Sequence, residues 1–566
     1  MIERLKTIIK NHLEKTMAES FDIHVEFNVE EPKRAGQGDL SVPVFVLAKS
    51  MRKPLPEIAA DVASIIEEGP VGFYIADVKI MGGFVNLHLS WTHVAETIIH
   101  DFEHDIPVHA DDEKTIVIDY SSPNIAKPFS VGHLRSTIIG HAIGNIAERL
   151  GHHVVRINHL GDFGTQFGKI IYAYLHYGDE KKVKENPIEE LMHLYVKFHE
   201  KANDDPKIED EARTIFRELE NGNPKYQKIW EWFREVSLKE YMRIYDLLGV
   251  RFDTYDGEAF YNDKMKPVIK ELNEKGLLKE DAGAMIVDLG EDMPPALIQK
   301  KDGSTLYITR DLAAIFYRKD TYDFDEALYV VGNEQKLHFE QLRRVITKMG
   351  YDYADQIEHV NFGLVLQDGK KMSTRKGKIV RLESVIDEAV RLSLEYINEK
   401  NPDLDNKDDV AKKVGVGAVI FNDLKNYRAN DFEFNLKNMV SFTGQTGPYL
   451  QYTSVRMTSI FSDVDDFSYD LDIDPALFEK QHYHDMLKLA SQYEKTLKTA
   501  AEENAPSVLA KYLLQLASLF NHFYGEEKIL VEDKKERNTK LHVLSIVKRI
   551  LDDGIKLLGM EVIEKM

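Results

Sequence analysis

The segment that most limits how this chain can fold runs from residue 115 to residue 158. TIVIDY (115–120) is a short β-branched run of the kind that fills a buried strand. A loop holding Pro123 and Pro128 follows. Leu134, Ile138, Ile139, Ile143, Ile146 and Leu150 then recur at helical three- and four-residue steps, with Gly151 placed as a C-terminal cap. HHVVRIN (152–158) reads as a second strand. Strand, long loop, helix and strand in this order make a β-α-β unit, the building block of a parallel nucleotide-binding sheet.

At 566 residues the chain exceeds what one core organises, so several domains are expected. Residues 1–110 read as an α+β module, with VPVFVLA (42–48) and VKIMGGFVNLHL (78–89) as its apolar stretches. The polar segment 104–113 reads as a linker. Residues 111–400 read as an α/β Rossmann-type parallel-sheet domain with a helical insertion at about 185–248. The segments AMIVDLG (284–290), STLYITR (304–310), EALYVVG (326–332) and HVNFGLVL (359–366) are expected to complete the sheet. A helical connector (401–445) and an all-α C-terminal domain (446–566) close the chain.

Composition excludes whole classes of chemistry. With no cysteine, there are no disulfides, thiolate metal sites or cysteine nucleophiles. No tightly bound metal is expected. A net charge of −22 is the wrong sign for a protein that coats nucleic acid, so any contact with RNA must use local patches. No apolar run has the length to cross a bilayer. The opening MIERLKTIIKNHLEKTM reads as an amphipathic helix and not as a signal peptide, and a cytoplasmic monomer is expected.

Three stretches carry chemistry. SSPNIAKPFSVGHLRST (121–137) lies beyond the carboxyl end of a strand, where Gly132 permits close approach and a helix N-terminus favours phosphate. Lys127 and His133 are placed to donate to developing negative charge. DGKKMSTRKGKIV (368–380) gathers Lys370, Lys371, Arg375, Lys376 and Lys378 in a glycine-flanked loop, a cationic clamp in an acidic protein. In LYITRDLAAIFYR (306–318), Tyr307 and Asp311 lie four apart at an expected strand-to-helix junction. Spacing alone favours Asp311 as a helix N-cap over a ligand for a cation.

These stretches, with INHLGDFGTQFG (157–168), YVVGNEQKLHF (329–339) and TGPYLQYTSVR (446–456), resemble the arginyl-tRNA synthetases in order and spacing across nearly the whole chain. SPNIAKPFSVGHLRST is similar to that family's HxGH region, and KKMSTRKG to its KMSKS loop. The resemblance implies ATP-dependent activation of L-arginine, with MgATP as substrate, and transfer to tRNA(Arg). It assigns Ser130, Val131, Gly132, His133, Met372 and Ser373 to ATP, with Lys127, His133 and Lys371 as catalytic groups. It assigns Asn124 to the arginine backbone and Glu258, Tyr307, Asp311 and Gln335 to the arginine pocket. Phe84, Asn86, Tyr449, Tyr452 and Tyr524 become candidates for tRNA contact.

There are two departures from the family pattern. Ser130 stands where many class I enzymes have histidine, and Thr374 replaces the second lysine of KMSKS. Lys127, just ahead of the HxGH motif, is placed where the family commonly offsets that loss. A non-catalytic tRNA-binding paralogue and a small-molecule nucleotidylyl transferase are the alternative readings at this point.

Overall fold

The computed structural model describes residues 1–566 apart from residues 33, 35, 301–306, 373, 376, 377, 465, 466, 470 and 471 and the side chains of 374, 375, 378 and 379. The chain divides into two compact units. One joins Met1–Val108, Thr453–Thr496 and Tyr512–Asp553; the other joins His109–Tyr452, Leu497–Lys511 and Gly554–Met566.

In the first unit, the opening helix Ile2–Phe21 buries Ile2, Leu5, Ile9, Leu13 and Met17, one helical face. An antiparallel sheet in the order β1 (Leu40–Pro43), β3 (Phe84–Leu89), β2 (Ile75–Met81) packs with the helix Leu55–Glu68. VPVFVLA is strand only to Pro43, after which the chain turns into a short 3-10 helix at Phe45–Leu47. The same unit takes in helices from the C-terminal part of the chain. Trp91, which donates through its indole N–H to Asp39 at 3.2 Å, stacks on His484 with ring centroids 4.5 Å apart. Lys488 pairs with Glu31 at 2.7 Å.

The second unit is built on a four-stranded parallel sheet. β4 (Thr115–Asp119) pairs with β5 (His153–Ile157), as the β-α-β reading requires. The linking helix Val131–Leu150 buries all six predicted apolar positions and ends on Gly151 in the left-handed conformation at φ 101°. Gly140 brings that helix close to the sheet, because any side chain there would collide with the Tyr120 ring.

Two expected strands do not join this sheet. AMIVDLG supplies β7 (Ala284–Val287) of a separate antiparallel sheet with β6 (Leu278–Asp281) and β8 (Ala296–Gln299). STLYITR is not a strand where it is described: Tyr307 begins the helix Tyr307–Tyr322. Its alternating pattern spans only a few residues, and the helical apolar positions Ile308, Leu312 and Ile315 that follow outweigh it. The remaining members are β9 (Glu326–Gly332) and β10 (Ile357–Phe362), giving the order β5-β4-β9-β10. The insertion is helical as read, its last helix being Pro224–Leu248, and helices Leu382–Lys400 and Lys407–Leu424 follow the sheet.

The helix Val131–Leu150 is fastened to those later helices by a buried ion pair. Arg135 Nε donates to Asp423 Oδ1 at 3.1 Å, and both side chains are 1% exposed. Arg135 also donates to the Asn430 carbonyl at 3.0 Å and lies 5.0 Å above the Phe432 ring. Burial pushes the Asp423 carboxyl up, against the pull of Arg135. Removing one partner of such a pair strands the other charge, so Asp423→Ala is expected to cost about 3–5 kcal/mol, read as a fall in the denaturant midpoint of this unit.

Candidate active site

Strand order places a ligand site before any side chain is considered. The chain leaves β4 toward β5 on one side and later returns to β9 on the other, so a crevice opens at the carboxyl ends of β4 and β9. The loop out of β4 is contorted: Ser121, Ser122 and Ala126 take left-handed φ values of 67°, 46° and 61°. Non-glycine residues hold such values only when their surroundings impose them. The loop runs into the N-terminus of the helix Val131–Leu150, where partial positive charge accumulates.

Ser130 and His133 close that N-terminus reciprocally. The Ser130 backbone N–H donates to His133 Nδ1 at 3.0 Å, and the Ser130 hydroxyl lies 3.2 Å from the same nitrogen. An Nδ1 that accepts a backbone proton leaves the ring's own hydrogen on Nε2. Burial, with help from the Lys127 charge, pushes His133 down to about 4, so it is neutral at physiological pH. Its remaining N–H is on Nε2, and Lys127 and Gly132 are exposed beside it. Ser130 is buried and spends its polar atoms on the cap.

The lysine-bearing loop is tied to this helix start. Val131 N–H donates to the Val380 carbonyl at 3.2 Å and Leu382 N–H to the Phe129 carbonyl at 3.1 Å, with Ser130 and Arg381 bridged between them. At its other end, β11 (Val365–Gln367) pairs with β12 (Lys370–Lys371). Met372 is buried, its N–H donating to the Val365 carbonyl at 2.8 Å. Lys371 is exposed, its ammonium 3.7 Å from Glu334 just beyond β9. Ser373 lies outside the described residues.

The proposed arginine-binding residues come from separate segments. Glu258 opens a 3-10 turn, its N–H donating to the Leu160 carbonyl at 2.9 Å. Its carboxylate faces Arg310 at 3.6 Å, an ion pair too long for a hydrogen bond. Burial pushes Glu258 up to about 7 against the pull of Arg310, and the nearby carboxylates of Asp162 and Asp311 push the same way. Asp311 is not the helix cap that spacing favours. It sits in the second turn, and its Oδ2 lies 2.6 Å from His338 Nε2. Burial raises its pKa, but the His338 contact prevails and holds it below the usual carboxylate range.

Tyr307, one turn earlier, is 69% exposed. Gln335 is exposed in the 3-10 turn Asn333–Gln335 after β9. Asn124 is exposed, its backbone bridged to Gly161, where any side chain would collide with the Asn124 carboxamide.

Among the tRNA candidates, Asn86 is buried and its Oδ1 accepts from the Ser41 hydroxyl at 2.8 Å, tying β3 to β1. Phe84 is half-buried, with its ring 5.2 Å edge-on from Phe45. Tyr449 is half-buried and Tyr452 exposed. Tyr524 is 43% exposed, with the Arg456 guanidinium 4.9 Å over its ring.

The sequence reading named no role for Asp162, Arg234, Ser237, Tyr241, Arg318 or His338. Their polar atoms meet partners distant in sequence. The one usable signal was Asp162, inside the glycine-flanked LGDFG.

A parallel sheet with a helix N-terminus and a lysine loop at its switch point is the arrangement of a class I aminoacyl-tRNA synthetase, and residues 93–436 match the family described as tRNA synthetases class I (R), catalytic domain. Residues 3–89 match the arginyl tRNA synthetase N terminal domain and residues 450–566 the DALR anticodon binding domain. An arginine–tRNA ligase of an Exiguobacterium species is 47% identical over 98% of this chain and 98% of its own length. The arginine–tRNA ligase of Enterococcus faecalis is 47% identical over 99% of this chain and 100% of its own. The crystal structure of the Plasmodium falciparum arginyl-tRNA synthetase matches with a TM-score of 0.80 at 26% identity, covering 100% of this chain and 99% of that one. The chain belongs to the arginyl-tRNA synthetase family.

Glu258 supplies a test of the site's electrostatics. Its carboxyl is protonated and neutral below about 7 and charged above it, so a cationic ligand is held more tightly as pH rises through that value. Isotope-edited infrared titration is expected to find one carboxyl with a midpoint near 7 that vanishes in Glu258→Gln. Arg310→Ala is expected to move that midpoint higher still.

Proposed function

We propose that this site activates L-arginine and passes it to tRNA(Arg). In the first step an arginine carboxylate oxygen attacks the α-phosphorus of ATP, the bond to the bridging oxygen breaks, and pyrophosphate leaves. In the second, a hydroxyl of the terminal tRNA ribose attacks the adenylate carbonyl, the acyl–oxygen bond to AMP breaks, and AMP leaves. No protein nucleophile is needed; rate enhancement comes from alignment and from stabilising charge on the departing phosphates.

The observation that carries the reading is that the Glu258 carboxylate, 3.6 Å from Arg310, and Asp311, the residue next to Arg310, stand in the unit that holds the nucleotide crevice. Arginine is cationic at every physiological pH, and a planar guanidinium satisfies two carboxylates where an ammonium cannot do so bidentately. A neutral amino acid would bring no charge to match the acidic side chains, a basis for rejection. Tyr307 and Gln335 would flank the side chain, and Asn124 would hold the amino acid backbone.

ATP enters as its magnesium complex, the metal being part of the substrate. Its ribose and phosphates would lie along Ser130, Val131, Gly132 and His133. The neutral His133 Nε2–H donates to a phosphate oxygen, while Lys127 and Lys371 carry the positive charge that Ser130 and Thr374 do not. Met372 and Ser373 belong to the loop that closes over the nucleotide. On the tRNA side, the exposed faces of Tyr452 and Tyr524 suit stacking on unpaired bases, with Phe84 and Tyr449 as secondary contacts. We place the enzyme in the cytoplasm; among the described residues no helix is long and apolar enough to cross a membrane.

The decisive experiment is ATP–pyrophosphate exchange with each of the twenty amino acids, with tRNA(Arg) present. Exchange with arginine alone is expected, and exchange with another amino acid overturns the specificity assignment. Lys127→Ala is expected to lower the exchange rate on the order of 10²-fold, the scale of losing one charge stabiliser. Wild-type kinetics in that variant would remove Lys127 from the mechanism.

A further inference from the structure

One face of the helix Pro224–Leu248 carries Trp230, Arg234, Ser237, Tyr241 and Tyr245, separated by steps of four, three, four and four residues. Each of these side chains grips a loop of the site. At one end, Trp230 Nε1–H donates to the Asp162 carbonyl at 2.6 Å. Arg234 donates from Nε to the Asp162 carboxylate and from Nη2 to the Tyr255 carbonyl, both at 2.8 Å. The buried Asp162 accepts in turn from the Ala259 N–H at 2.9 Å, next to Glu258. Gly257, on the other side of Glu258, lies so close to Asp162 that any side chain would collide with the carboxylate.

At the other end, the grip falls on the turn at Ala126, whose φ of 61° is unfavourable for any residue with a Cβ. The Ala126 N–H donates to Ser237 Oγ at 3.1 Å. The Tyr241 hydroxyl lies 2.7 Å from the Asn124 carbonyl and 2.7 Å from the Lys127 carbonyl, spanning the strained residue. Tyr245 completes the row, its hydroxyl 2.9 Å from Ser121 Oγ and accepting from Asn158 Nδ2 at 2.9 Å. Ser237, Tyr241 and Tyr245 are fully buried, so these bonds face no competition from solvent.

We propose that this polar stripe sets the two substrates in register: Tyr241 holds the turn that presents Asn124 and Lys127, and Arg234 acts through Asp162 to hold the segment that presents Glu258. None of the five stripe residues is a catalytic residue; they are positioning residues, and one rigid helix fixes the distance between the nucleotide side and the amino-acid side of the site. The proposal rests on the roles given above to Lys127, Asn124 and Glu258.

The two ends of the stripe predict different kinetic signatures. Tyr241→Phe keeps the ring and removes only the hydroxyl. It is expected to lower kcat in exchange about tenfold, with the KM for arginine little changed, because misalignment of reacting groups costs rate. Adding Ala126→Gly relieves the strain that the hydroxyl contains, since glycine adopts positive φ freely, and is expected to restore much of the lost kcat. Arg234→Lys keeps the charge and loses the fork, and is expected to raise the KM for arginine about tenfold with a smaller change in kcat.

Wild-type kcat in Tyr241→Phe overturns the proposal, as does a wild-type KM in Arg234→Lys. So does a Tyr241→Phe defect that appears only as a lowered melting temperature. Lys127→Ala, measured alongside, separates the two levels of argument: if it is impaired while Tyr241→Phe is not, the registration idea fails and the site reading stands. If Lys127→Ala is wild-type, the site reading itself fails.

Discussion

A guanidinium buried against the inner strands of a sheet must be neutralised where it lies, and the requirements of Arg318 organise the floor of this site. Its Nη1 is 2.8 Å from Asp119 at the end of β4, and its Nη2 lies 3.1 Å from His159 Nδ1 in the loop after β5. The Tyr329 ring on β9 is 5.3 Å away and the Tyr261 ring 5.9 Å, the latter in the same 3-10 turn as Glu258. The Ser122 hydroxyl donates to Asp119 at 2.8 Å and accepts from the His159 N–H at 3.1 Å. Four segments distant in sequence therefore converge on one cation. None can shift without exposing a buried charge, the costliest error an interior can make. These contacts tie together the segments that line the crevice at the carboxyl ends of β4 and β9.

On this floor the protein separates its charges. His133 is neutral through burial and through the Lys127 charge beside it. Positive charge is left to the exposed lysine side chains of Lys127 and Lys371, which would suit a charge that develops only as pyrophosphate departs. Elsewhere in the same unit, Asp311 stays ionised through His338, while burial lifts Glu258 to about 7. In the reading proposed above, a pocket with one charge fixed and the second poised to ionise would be completed by a cationic ligand. An acidic protein of net charge −22 can thus handle polyanions and a cation within one unit.

The fold was legible where local pattern and tertiary demand agree. The apolar steps from Leu134 to Leu150 and the glycine cap at Gly151 specify a helix whatever surrounds them, and β4 and β5 follow from β-branched runs. Short apolar runs were ambiguous. AMIVDLG looks like any interior strand, and nothing local says that it pairs with its antiparallel neighbours and not with β4. Asp311 illustrates the same limit for side chains. A carboxylate near a helix start reads as a cap, and only His338, twenty-seven residues on, shows that it is turned elsewhere.

By itself, the sequence determined the β-α-β frame and the helical insertion, while its resemblance to a known family named candidate groups for phosphate and a guanidinium. The frame and the insertion rest on residue type and short-range periodicity, which are present in the unfolded chain. Tertiary structure alone decided which of those groups are neutral, which are paired and which are held in place. Whether His133 carries a proton, whether Asp311 caps a helix, and whether Tyr241 is filler or a clamp all depend on burial and on partners far along the chain, and these exist only once the chain has closed.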